Sequence, residues 1–388
     1  MPAEIASSEK KEAKQRFLSE IARAFLRLGF VAFGGAAAHI GLMEEDFVRR
    51  RKWLSREDFL DRLGAVNLLP GPTSTEMAIY LGELRGGFPG LLVAGACFIL
   101  PAAFMTLGLA WAYVRYGTLP QLAGVLWGVK PIVVVLLVQA VWSLAKSALR
   151  SRELMFLAAV VLALAALRVP TLPLLMGTGV AWIAANRFGA KPVAGATSGV
   201  AAAGAAATAS VAATTSGVFF YFLKIGALLF GSGYVLLAVL REDLVQRLHW
   251  LTETQLLDAI AVSQATPGPF FTVATFVGYL LAGWRGAGLA TVGMFVPAFT
   301  YVTLTAGVLP RMRKSPNAAA FLDGVNAAAV ALMAFVGFQF AREAVTSPLA
   351  LVIAGVAAVL VFRFRVNSAW VVLGGAIAGL VAKLVVRV

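Results

Sequence analysis

Pro70-Gly71-Pro72 runs directly into Thr73-Ser74-Thr75-Glu76, and this order of residues is suited to holding an anion. A helix that begins at Pro72 tolerates the missing N–H there. It leaves the amides of Thr73 and Ser74 without intrahelical acceptors, at the positive end of the helix dipole. The hydroxyls of Thr73, Ser74 and Thr75 add donors that match the oxygens of a tetrahedral oxyanion. Asn67 stands just before the turn, and Gly71 lets the backbone bend. The chain carries a second copy, Pro267-Gly268-Pro269, with Gln264 in the place of Asn67 and with Thr266 and Thr272 on either side. The alternative is that glycine and proline only kink a packed helix while the hydroxyls bond to the preceding turn. A kink does not by itself account for the motif occurring twice beside a matched amide.

Charged residues in apolar surroundings are the second group able to do chemistry. Arg27 and Lys224 hold equivalent positions, two residues before Gly29 and Gly226. A cation at membrane depth is costly and usually marks a pathway; the alternative is snorkelling to the headgroups. Lys130 lies deeper, inside an apolar run beside Pro131, which suits compensation of an anion's charge. Glu76 is a candidate proton carrier, since desolvation favours the protonated carboxyl. It is equally well placed for a salt bridge with Lys130 or Arg85, or to stabilise a helix N-terminus. Phe33-Gly34-Gly35 and Phe230-Gly231-Ser232 break the first helix of each copy, either for close helix packing or as a second unwound element facing the Pro-Gly-Pro turn. His39 has no visible partner and reads as a packed or interfacial side chain.

Several chemistries are disfavoured. Cys97 is the single cysteine, and His39 and His249 are the only histidines. No zinc, haem or iron–sulfur ligand set follows from these, and no metal or cofactor is expected. There is no G-x-x-x-x-G-K-[ST] element, no H-E-x-x-H and no Cys–His pair, which argues against an intramembrane enzyme.

The elements that must position these residues come from a duplication. Residues 25–72 recur as 222–269 at a constant offset of 197. About one aligned pair in three is identical, against roughly 6% by chance. After a slip of one residue the register continues, with Gly82 on Gly278, Pro101 on Pro297 and Gly128 on Gly324. Of the 388 residues, 60% are hydrophobic and 13% charged, with mean hydropathy +0.84. Soluble domains carry about 25% charge, so the chain reads as an all-α polytopic membrane protein. Its net charge of +14 is placed at the ends of apolar runs, as in Arg49-Arg50-Arg51-Lys52. That pattern fits headgroups and cytoplasmic loops rather than nucleic acid.

The expected domains are a polar tail (1–16), an N-terminal half (17–188), an Ala/Gly-rich linker (189–217) and a C-terminal half (218–388). Each half begins with a glycine-broken helix, Phe17–Met43 or Val218–Leu240. An amphipathic stretch at the interface follows, Glu44–Arg62 or Arg241–Asp258, then the Pro-Gly-Pro segment and four apolar spans. Neither 59–69 nor 73–84 is long enough to cross a bilayer at 1.5 Å per residue. Two half-helices meeting near the midplane fit better than a crossing helix with prolines in its interior. With that hairpin entering and leaving on one side, each half crosses about five times, and an odd count makes the halves an inverted repeat. Such repeats form transporter sites between them.

Three stretches together resemble the chromate ion transporter family in its two-domain form. They are Phe33-Gly34-Gly35 followed by His39-Ile40, Pro70-Gly71-Pro72-Thr73-Ser74-Thr75-Glu76-Met77-Ala78 with Gly82 and Arg85-Gly86-Gly87, and Thr266-Pro267-Gly268-Pro269 with Ala274-Thr275-Phe276-Val277-Gly278-Tyr279. The sequence departs at Ala36, where the family often has proline, and at Ser232, where glycine is common. The resemblance implies multi-pass insertion in a bacterial inner membrane, halves of opposite orientation and export of chromate from the cytoplasm. Sulfate is the chemical look-alike, and another oxyanion is the nearest rival substrate. The expected partners are the oxyanion and the lipid bilayer; a homo-oligomer is compatible with the sequence. The expected mechanism is alternating access, driven by an ion gradient, with the anion between the two Pro-Gly-Pro ends.

Overall fold

A computed structural model of the chain describes residues 2–117, 119–188, 214–230, 233, 235–305 and 315–385. The described residues form 14 α-helices and no strand. The first repeat contains α1 (Pro2–Val31), α2 (Gly35–Met43), α3 (Arg56–Val66), α4 (Thr73–Tyr116), α5 (Pro120–Ala148), α6 (Arg152–Ala166) and α7 (Thr171–Phe188). The second contains α8 (Thr215–Leu228), α9 (Val235–Leu240), α10 (Glu253–Ala265), α11 (Val273–Thr305), α12 (Pro316–Ala344), α13 (Pro348–Ala358) and α14 (Ser368–Val385). Five stretches are long and apolar enough to cross a bilayer: Thr73–Tyr116, Leu122–Ala148, Phe270–Thr305, Pro316–Ala344 and Ser368–Val385. Many of their large apolar side chains are exposed, including Phe104, Trp142, Trp284 and Leu304, as a lipid-facing surface requires. The chain is a multi-pass membrane protein.

The duplication extends to backbone detail. Both α2 and α9 continue into a π-helical turn, Glu44–Arg50 and Arg241–Arg247. Two residues after each turn stands a residue with φ of 53°, Lys52 and His249. Trp53 and Trp250 then donate their amides to Phe47 and Leu244, both at 2.8 Å.

The polar tail is not a separate element, because α1 runs unbroken from Pro2. Of the expected linker, residues 189–213 lie outside the described residues. Its last residues are already helical, with the Thr214 hydroxyl capping α8 through the Gly217 amide at 3.1 Å.

The break after α1 is a reversal. Residues beyond α2 return to the level of the middle of α1, where Trp53 Nε1 donates to Glu20 at 3.0 Å and Phe25 packs on Phe47 with ring centroids 4.9 Å apart. The Pro-Gly-Pro segment is also a hairpin. Arg62 on α3 donates to the Tyr80 hydroxyl on α4 at 2.8 Å, and these residues lie nine before and nine after Gly71. The stretch 44–62, expected at the interface, therefore ends in the entry arm of this hairpin, α3. α4 itself reverses at Gly87 (φ 60°, ψ −154°), and α11 does so at Gly283 (φ 60°, ψ −148°). This backbone region is open to glycine and almost nothing else. Past the reversal the two arms close to backbone contact, Gly82 on Gly90 and Gly278 on Gly286.

The two repeats are intertwined and oppositely directed. Gly337 on α12 lies against Leu137 on α5, and Arg150 at the end of α5 reaches Asp323 near the start of α12 at 2.8 Å. Residue numbers that rise on one helix as they fall on the other mean that α5 and α12 run antiparallel. As both are spans, the repeats face opposite sides of the membrane, which makes them inverted. α14 packs on α5 of the other repeat, and α7 packs on α12. Gly128 meets Gly375 and Gly379 at the first crossing, and Gly324 meets Gly179 at the second. Small residues allow this close approach in lipid, where van der Waals packing replaces the hydrophobic driving force.

Candidate functional site

The two Pro-Gly-Pro turns are held by a reciprocal pair of hydrogen bonds. Gly71 donates its amide to Leu229 O at the end of α8, and Gly268 donates to Ala32 O at the end of α1, each at 2.8 Å. Each tip thus satisfies a helix-terminal carbonyl of the opposite repeat. Ala32 O also receives His39 Nε2 at 3.1 Å, and His39 Nδ1 meets Ser74 Oγ at 3.3 Å. His39 is 2% exposed. It joins one tip to the other through Ser74, Ala32 and Gly268, a role that its lack of sequence neighbours concealed.

Helix α4 starts one residue later than expected. Pro72 is its N-cap and Thr73 its first residue, with the amides of Thr75 and Glu76 already bonded to Pro72 O at 2.7 and 3.0 Å. By helix geometry the Thr73 and Ser74 amides remain open. Of the three hydroxyls, Thr73 faces a cavity, Ser74 is taken by His39, and Thr75 is fully buried with no partner for its Oγ1.

That cavity, of about 970 Å³, lies between the first-repeat tips and the ends of α5 and α12. Gly34, Gly35, Asn67 and Thr73 line it, as does Leu69 beside the turn. Gln139 and Ser143 on α5 and Asn326 on α12 supply further polar groups, and the Arg150–Asp323 pair sits at the rim. Gln139, Ser143, Ser147 and Arg150 recur at spacings of three and four along an apolar helix. That polar stripe was the sequence signal for this wall.

The second-repeat tip is packed shut. Thr266, Gly268, Pro269 and Thr272 are buried. Thr106 on α4 meets the hydroxyls of both Thr266 and Thr272 at 3.4 Å, and Thr272 also donates to Pro269 O at 2.9 Å. Gln264 is half-buried. Gly231 and Ser232 lie outside the described residues. A second cavity, of about 610 Å³, opens on this repeat's side and is lined by Arg168, Arg241, Glu242, Gln339 and Arg342. None of 264–272 is among its walls. Burial raises the Glu242 carboxyl above its ordinary range, against the pull of Thr171, whose amide donates to it at 2.6 Å.

The expected cations are placed otherwise. Arg27 and Lys224 lie on exposed faces of α1 and α8, where a long side chain reaches the headgroups at least cost. Arg85 is tied to Glu20 at 3.1 Å and stacks over Phe17. Lys130 is bound to Asp258 at 3.1 Å, and Tyr113 donates to the same carboxylate at 3.1 Å. Its charge is therefore met by the protein, and Asp258, expected at the interface, is 2% exposed. Glu76 pairs with neither Lys130 nor Arg85. It is fully buried, and both carboxyl oxygens lack a partner among the described residues. A methyl group on Gly71 would come within 2.7 Å of Glu76 Oε1, so the carboxyl is tucked under the turn. No group of three or more His, Cys, Asp or Glu side chains able to hold a metal occurs among the described residues.

Inverted, intertwined repeats with broken helices meeting at a polar cavity define an α-helical membrane transporter architecture. The chain belongs to the chromate transporter family, whose pattern it matches twice, over residues 19–185 and 216–380. This is a family of transporters and not of enzymes. The chain is similar to a chromate transport protein of Cupriavidus metallidurans, 32% identical across 98% of this chain and 97% of that protein. It is similar to one from Pseudomonas aeruginosa, 32% identical across 92% and 90%, and to a probable chromate transport protein of Synechococcus elongatus, 30% identical across 82% and 83%. No solved structure matches the chain significantly.

Proposed function

We propose that the protein is a secondary transporter that moves chromate out of the bacterial cytoplasm across the inner membrane by alternating access. The observation that carries this reading is the one-sided cavity. It reaches Thr73, Asn67, Gly34 and Gly35 at the first-repeat tip, while the equivalent second-repeat tip is packed shut. Inverted repeats exchange such open and closed arrangements when the carrier turns over.

The anion is held at the N-terminus of α4 by the open amides of Thr73 and Ser74 and by the Thr73 hydroxyl, with Asn67 and Asn326 as amide donors. The helix dipole offsets its charge. In the opposite state Thr266, Gly268, Pro269, Thr272 and Gln264 take the corresponding places. Glu76 serves as the proton-carrying group, because an unpaired buried carboxylate is costly and protonation removes the cost.

Radiolabelled chromate flux in proteoliposomes, with and without an imposed pH gradient, tests the reading. Flux that responds to the gradient and falls with unlabelled chromate is the expected result. Competition by sulfate at equal concentration would make the substrate a wider class of oxyanions. No flux in either direction would overturn the proposal.

A further inference from the structure

A threonine inside a helix can turn its hydroxyl onto the carbonyl one turn back. Thr178, Thr291, Thr300, Thr303 and Thr305 all do so, at 2.6–3.0 Å. Thr106, past the reversal of α4, does not. Its Oγ1 points across to the second Pro-Gly-Pro tip, 3.4 Å from Thr266 Oγ1 and 3.4 Å from Thr272 Oγ1. Both distances exceed the usual O–H···O separation of about 2.7–2.8 Å. Thr266 gives its proton to Ser263 O at 3.1 Å, and Thr272 gives its own to Pro269 O at 2.9 Å. The single Thr106 proton is left to serve two oxygens, and no other partner for it occurs among the described residues. Thr106 and Thr272 are 0% exposed and Thr266 is 7% exposed. Burying a hydroxyl that is so loosely bonded costs stability. The first tip does without one: the register of the duplication places Val302 opposite Thr106 and Leu69 opposite Thr266, and both are buried.

We propose that Thr106, Thr266 and Thr272 form an oxyanion subsite shared between the repeats, which takes the tetrahedral anion when the path opens at the second tip. While the tip is shut the three hydroxyls are gathered but poorly bonded to one another. When it parts, each turns its O–H onto an oxygen of the anion, whose charge makes the new bonds shorter and stronger than those given up. Hydroxyls rotate freely enough to make that exchange without moving the backbone. Thr106 is the ligand contributed by the first repeat, so in this state the anion itself bridges the two repeats. The two tips then hold the anion differently, the first through open helix amides and the Thr73 hydroxyl, the second through a cluster of hydroxyls. The subsite rests on the alternating-access reading and adds to it a residue that lies in neither Pro-Gly-Pro segment.

The test is radiolabelled chromate exchange in right-side-out and in everted membrane vesicles carrying the full chain, so that KM is read from each face. The second-repeat face is the one at which Arg247→Cys takes an impermeant thiol reagent, since Arg247 shares a π-helical turn with Arg241 of the second cavity. Thr106→Val is expected to raise KM at that face by about tenfold, the scale of a lost hydrogen bond to a charged group. KM at the other face is expected to stay near the parent value. Thr106→Ser keeps the hydroxyl and is expected to restore the parental behaviour. A hydroxyl that only closed the path would change the maximal rate without splitting KM between the faces. Should Thr106→Val fail to reach the membrane, Thr266→Val removes another hydroxyl of the cluster, and the same one-sided rise is expected. Parental KM at both faces, or an equal rise at both, in a variant present at the parental level would overturn the subsite. A parent chain without exchange would sink the transport reading and the subsite with it, so the two failures give different results.

Discussion

The amide of Gly268 donates to the carbonyl of Ala32 at 2.8 Å, so the second Pro-Gly-Pro turn is anchored on the end of the first repeat's opening helix. Gly71 and Leu229 make the same bond in the other direction, also at 2.8 Å. Neither hairpin has its tip satisfied within its own repeat. The geometry of the site is therefore a property of the assembled pair, and movement of one repeat relative to the other is felt at both tips.

Thr73 is the one hydroxyl of its cluster that opens on the cavity. Thr73→Val is expected to weaken chromate binding by about 1–3 kcal/mol, the scale of a lost charge-assisted hydrogen bond. Equilibrium binding to purified protein, with helical content checked by circular dichroism, measures this. Unchanged affinity in a folded variant would move the site away from the N-terminus of α4.

Glu76 has no partner for either oxygen. Glu76→Gln keeps the volume and removes the titrating group, so chromate binding should survive while the response of flux to a pH gradient disappears. A variant that still accumulates chromate under a proton gradient alone would leave Glu76 a structural acid.

Gly87 and Gly283 occupy the glycine-only backbone region, and an added methyl at either meets nothing within 4 Å. Alanine there should cost about 1–3 kcal/mol through backbone strain alone. Gly41→Ala and Gly355→Ala, on helices with equally open surroundings, should be neutral or slightly stabilising. Thermal unfolding in detergent separates the two outcomes.

The antiparallel run of α5 and α12 predicts that the π-helical turns Glu44–Arg50 and Arg241–Arg247 lie on opposite membrane faces. Cysteines introduced at Arg50 and Arg247, both exposed, should label from opposite sides with an impermeant reagent. Labelling of both from one side would mean parallel repeats.

Much of this was legible in the chain. The offset of 197 located the repeat, the short arms around Pro70 required a hairpin, and composition required a membrane. The charged residues were less so. Arg27 and Lys224 suited either a place on the pathway or snorkelling to the headgroups, because a helix of this kind has a lipid face and a buried face. Their exposure depends on which side α4 and α11 cover. Lys130 was read as compensating an anion or as a partner for Glu76; its partner is Asp258 of the other repeat, and sequence spacing carries no information about contacts between segments that far apart. Gln139 and Ser143 formed a visible polar stripe, but only the position of α12 turns that stripe into a cavity wall.

The sequence alone determined the all-helical class, the duplication, the places where helices break and the run of amides and hydroxyls that follows Pro72. These follow from local physics: apolar run length, proline and glycine geometry, and unpaired amides at a helix start. The tertiary structure decided which of two equivalent tips is open, which charges cancel one another and how each tip is anchored. Those outcomes depend on contacts between repeats, such as that of Lys130 with Asp258, which no local pattern in the sequence contains.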